Sequence, residues 1–81
     1  MRLRFSGRRL REARLAAGLS QAGLSNLIGC GETEISRYET RGQTPAATRL
    51  SAMAQACGVP MEDLFEPEGG NGDMGEGGPA D

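Results

Sequence analysis

Glu32, Thr33, Ser36 and Arg37 sit close together in the chain. On a helix, spacings of three and four bring 32 and 33 beside 36 and 37 on one face. These side chains match the hydrogen-bonding edges of nucleic-acid bases. A guanidinium at Arg37 donates twice to guanine O6 and N7, a carboxylate at Glu32 accepts from cytosine N4, and Thr33 meets a thymine methyl or donates to a base. Glu32 and Glu34 have a second reading. Both fall at the start of a helix, where the macrodipole favours a negative charge.

Such side chains read bases only when a rigid frame holds them outward. Residues 20–39, SQAGLSNLIGCGETEISRYE, supply the frame. Ser20 suits the N-cap of a helix over about 20–28, because its hydroxyl accepts from an otherwise unpaired backbone N–H. Leu24 and Ile28 recur at helical spacing, and Leu27 falls on the outer side. Gly29 stands where a left-handed residue ends the helix. A second helix follows over about 32–40, with Ile35 and Tyr38 inward. A helix pair of this length, joined this tightly, predicts a second helix that enters the DNA major groove.

The flanking sequence predicts three more helices. Ser6 caps one over about 7–17, with Leu10, Ala13 and Ala17 inward and Gly18 as its stop. After the turn RGQTP at 41–45, with Pro45 suited to a first helical position, a helix over about 46–57 turns Leu50, Met53, Ala54 and Cys57 inward. Pro60 opens a last short helix, about 61–65, whose Leu64 and Phe65 fold back on the core. Residues 66–81, EPEGGNGDMGEGGPAD, contain six glycines, five acids and a single hydrophobe, Met74. They bury too little apolar surface to offset chain entropy, which predicts a disordered acidic tail. The expected architecture is all-α: a lead-in at 1–7, a five-helix domain at 8–65 and the tail at 66–81.

Composition narrows the function further. An 81-residue chain holds one small domain. It has no histidine, which removes histidine-based acid–base chemistry and histidine-ligated zinc. Cys30 and Cys57 lack metal-ligand spacing and read as small buried hydrophobes. No nucleophile with a base and no phosphate loop appears, so neither an enzyme nor a cofactor or metal is expected. Met1 to Arg14 has no apolar run, and no stretch reaches the length of a membrane span; the expected location is the cytoplasm. The net charge of −2 averages two unlike halves. Residues 1–49 hold nine arginines against four acids, a net +5, whereas residues 50–81 hold seven acids and no base. A basic head is the footprint of a polyanion binder.

With LREAR at 10–14, GLSQ at 18–21, Leu24, Gly29, EISRYE at 34–39, Pro45 and CGVPMEDLF at 57–65, the chain resembles the Cro and phage-repressor type of helix-turn-helix protein, the xenobiotic-response-element family. The likeness runs over about 8–65 without a gap and implies a compact lambda-repressor-like domain. Gly31 departs from it, standing where the family usually has a serine or threonine cap.

The resemblance also implies roles. Gln21, at a helix start that favours anions, bonds a DNA phosphate. Thr40, Arg41, Gln43 and Thr44 ride on the phosphate backbone, which gives register and affinity but little sequence information. Arg14 and Glu39 form a structural ion pair between helices, and Met61 and Leu64 contact a second subunit. The implied protein is a sequence-specific repressor that binds a palindromic operator in double-stranded DNA as a homodimer through residues 20–40. RNA polymerase is a further expected partner. The alternative is an antitoxin that neutralises a toxin-like partner protein and regulates its own operon.

Overall fold

The computed structural model describes residues 2–68. In chain order it contains β1 (Leu3–Phe5), α1 (Gly7–Ala16), α2 (Gln21–Ile28), α3 (Glu32–Arg41), α4 (Ala47–Cys57), one 3-10 turn (Met61–Leu64) and β2 (Phe65–Pro67). The hydroxyl of Ser6 caps α1 by accepting from the N–H of Arg9 at 3.1 Å, and that of Ser20 caps α2 by accepting from Gly23 at 2.9 Å. Gly29 ends α2 at a φ of 75°, which lets the chain turn at once into α3.

The four helices enclose one core. Leu10 of α1, Leu24 of α2, Ile35 of α3, Met53 of α4 and Leu64 are fully buried. Phe5, Tyr38, Leu50, Ala54 and Cys57 complete it. Phe5 is central to the closure of the chain ends, with its ring edge-on to those of Tyr38 and Phe65 at centroid distances of 6.5 and 6.2 Å.

Four expectations need correction. The fold is mostly helical rather than all-α, because β1 and β2 pair antiparallel with Phe5 opposite Phe65, Arg4 opposite Glu66 and Leu3 opposite Pro67. The fifth helix is only a 3-10 turn, held by the N–H of Asp63 donating to Pro60 O at 3.0 Å. Residues 2–5 are therefore part of the fold and not a loose lead-in. Glu66, Pro67 and Glu68 are ordered too, with the N–H of Glu68 donating to Arg2 O at 2.9 Å. The rest of the predicted tail, 69–81, lies outside the described residues.

Smaller differences follow from packing. Ala17 is exposed, and Arg14 takes the inward place on α1. Pro45 is buried but precedes α4 by two residues, and Ala46 is the N-cap. Leu64 is in the core, so it is not available as a subunit contact, whereas Met61 is exposed. The 3-10 turn packs against α1 and α4, and Leu64 is its fully buried residue.

Candidate nucleic-acid interface

α3 is held from behind. Ile35 and Tyr38 anchor it in the core, and Glu39 binds it to α1 and α2. Arg14 Nε donates to Glu39 Oε2 at 2.6 Å and Nη2 to Oε1 at 3.1 Å, while Nη1 reaches Leu19 O at 2.8 Å. The two side chains are only 7% and 2% exposed. The hydrogen bond and charge of Glu39 outweigh burial and raise the pKa of Arg14, so the guanidinium keeps its charge. Gln21 joins it, with Nε2 donating to Glu39 Oε1 at 3.1 Å. That bond fixes the Gln21 amide at the start of α2 and leaves its second N–H for another acceptor.

The front end of α3 is fastened by Glu34. Its Oε1 accepts from the N–H of Gly31 at 3.2 Å, the half of a capping box that does not require a side chain at the cap. Its Oε2 stands 3.4 Å from Arg49 Nη1 on α4, an ion pair without hydrogen-bond alignment. Glu34 is thereby committed to holding the helix. Cys30, at the turn, has its thiol pKa pushed up by burial, as does Cys57 in the core. Both behave as small hydrophobes.

The opposite face of α3 is exposed among the described residues. Glu32, Thr33 and Arg37 are exposed, and Ser36 is half-buried between them. Among the described residues, no side-chain hydrogen bond or ion pair engages Glu32, Thr33 or Arg37. Thr40 differs, since its hydroxyl donates to Ser36 O at 2.8 Å and is turned onto its own helix. Arg41, Gln43 and Thr44 are exposed in the turn that follows. Gly42, at a φ of 64°, sends that turn away from α3. The result is a protruding ridge: neutral and acidic at its N-terminal end, basic at its C-terminal end through Arg37 and Arg41.

The matching family model, described as a helix-turn-helix domain, covers residues 7–66 of this chain. The chain belongs to the helix-turn-helix family, in its Cro and phage-repressor form. The solved structures agree. The restriction-modification controller protein C.AhdI from Aeromonas hydrophila is 32% identical, with a TM-score of 0.67 over 73% of this chain and 89% of that one. The c2 repressor of P22, solved with a synthetic operator, is 28% identical, with a TM-score of 0.67 over 72% and 88%. CoII HppE with its substrate shares the fold alone, at 23% identity and a TM-score of 0.67 over 78% of this chain and 35% of that one. No curated protein matches the sequence.

Some features of this helix-turn-helix domain carry no signal in the sequence spacing. The Gln21–Glu39 bond, the Glu34–Arg49 pair and the pairing of Arg4 and Arg8 with Glu66 all join residues far apart in the chain. Among the described residues there is no group of three or more metal-ligating side chains, and no helix is long and apolar enough to cross a membrane.

Proposed function

We propose that this chain is a sequence-specific transcription regulator, a small repressor that occupies a palindromic operator as a homodimer. The observation that carries the reading is the pairing of an outward, uncommitted face on α3 with a buried Arg14–Glu39–Gln21 network behind it. A helix so braced enters the major groove without rearranging. Glu32, Thr33, Ser36 and Arg37 then meet base edges, with Arg37 bidentate to guanine. Gln21 uses its remaining N–H on a phosphate, and Arg41, Gln43 and Thr44 follow the backbone. Thr40, turned onto its helix, contributes to the same contact only after rotating its hydroxyl. One domain reads few base pairs, so two-fold pairing would set two α3 helices one DNA turn apart, about 34 Å. Met61, exposed beside the buried Leu64, and the exposed Leu27 of α2 are the candidate subunit contacts.

Gel-shift titration of genomic fragments across several salt concentrations tests the reading. Affinity should fall steeply with salt as phosphate contacts release counterions. Arg37→Ala should relax preference at one base position in each half-site, whereas Arg41→Ala should weaken every site alike. Operator binding that survives both changes unaltered rules this surface out.

The alternative of an antitoxin that neutralises a partner protein draws on the acidic segment. Of that segment, 66–81, the structure describes Glu66, Pro67 and Glu68, and the two carboxylates stand beside arginines of the N-terminal region.

A further inference from the structure

Where the two ends of the chain meet, arginines gather around one carboxylate. The strand register places Arg4 opposite Glu66. Arg4 Nε and Nη2 donate to Glu66 Oε2 at 3.2 and 3.1 Å, and Arg8 Nη2 stands 3.7 Å from Oε1. Glu66 is mostly covered, but the side chains of Arg4 and Arg8 are 59% and 73% exposed. An open groove of about 450 Å³ runs over this cluster, and Arg41, Gly42 and Thr44 form its other wall. The groove therefore continues the turn assigned above to DNA phosphates.

We infer that this groove is a further DNA-phosphate site, occupied in the free protein by Glu66 as an internal substitute for phosphate. The inference rests on the DNA-binding reading. A carboxylate and a phosphodiester offer a guanidinium the same acceptor oxygens. Arg4, Arg8 and Arg41 face one acid in the groove, so it still attracts an anion after Glu66 is counted. Exposed ion pairs are weakly held, and the two arginines have the freedom to turn toward a new acceptor. When α3 docks, a phosphate that passes Arg41 and Thr44 arrives at the groove mouth. Arg4 and Arg8 then exchange carboxylate for phosphate while the strand ladder stays in place. Glu66 thus restrains affinity, and Glu68, 3.8 Å from Arg2, repeats the arrangement at the strand end.

The test is binding of the full chain to a fluorescently labelled mixed-sequence duplex, since the phosphate contribution is independent of sequence. Glu66→Gln should tighten binding about two- to fivefold at low salt, the size of one exposed ion pair. It should steepen the log–log salt slope by up to about 0.9, one phosphate's worth of counterion release. Glu62→Gln, which removes the same charge from the 3-10 turn, should do less, and the gain should vanish in an Arg4→Ala, Arg8→Ala background. Equal gains from Glu66→Gln and Glu62→Gln, or a gain that persists without the two arginines, overturns the inference but leaves DNA binding standing. A folded wild-type chain that binds no duplex at low salt overturns both. Should Glu66→Gln lose its fold by circular dichroism, NMR of the wild-type chain decides: the Arg4 Nε–H resonance should shift with added duplex alongside that of Arg41. An Arg41 shift with Arg4 unmoved overturns the site.

Discussion

Two arginine–glutamate pairs of identical chemistry occupy unlike surroundings in this molecule. Arg14 and Glu39 are enclosed where α1, α2 and α3 meet, and every guanidinium nitrogen has a partner there. Arg4 and Glu66 lie where the terminal strands join, with the arginine largely in water. Solvent makes the difference. A buried pair is costly to assemble, and removing one partner strands the other charge, whereas an exposed pair exchanges with water and with other anions. The interior pair fixes the direction of α3. The surface pair leaves its arginines available.

The sharpest break of this contrast is Glu39→Ala. It should cost about 3–5 kcal/mol in denaturant unfolding, because Arg14 would keep its charge without a partner; a loss below 1 kcal/mol, on the order of a surface pair, would erase the distinction. Leu64→Ala comes next, at about 2–5 kcal/mol, and separates the apolar closure of the chain ends from the ionic one. Met61→Ala, on the outer side of the same turn, should stay within about 0.5 kcal/mol. Arg4→Ala should cost only about 0.2–1 kcal/mol, with the helical circular-dichroism signal unchanged.

The smallest effect is set by pH. Burial opposes the Glu66 carboxylate, but hydrogen bonds from Arg4, the polar Ser6 side chain and the charges of Arg4 and Arg8 prevail and hold its pKa below the ordinary 4.5. The pairing therefore stabilises the fold above that value, and its contribution is lost as pH falls through the lowered one. Amide exchange at β1 and β2 should quicken in that acid window in the wild type and much less in Glu66→Gln. Equal acid sensitivity in the two proteins would mean that another carboxylate controls the strand ends.

The helices were legible because their cues are local. Ser6 and Ser20 sit one residue before α1 and α2, Gly29 marks a sharp stop, and Leu24, Ile35, Leu50 and Met53 fall on regular inner faces. The sheet was not legible. Strands of three residues are too short to display alternation, and their partners lie about sixty residues apart. The 3-10 turn shares its opening proline and its hydrophobic stripe with an α-helix, and only tertiary packing decides which way Leu64 points. The ridge on α3 was readable as a set of polar positions. The commitment of Glu34 to Arg49 and of Gln21 to Glu39 was not, because each partner comes from a different helix.

Gly7, the first residue of α1, has one more consequence. Its Cα lies so near the far end of α3 that a β-carbon there would overlap the carbonyl oxygens of Tyr38 and Glu39. The blade that projects Thr33 and Arg37 is thus clamped at its tang, main chain against main chain. A single added methyl at position 7 would pry that clamp open and cant the blade, changing what it addresses with every residue on its edge intact.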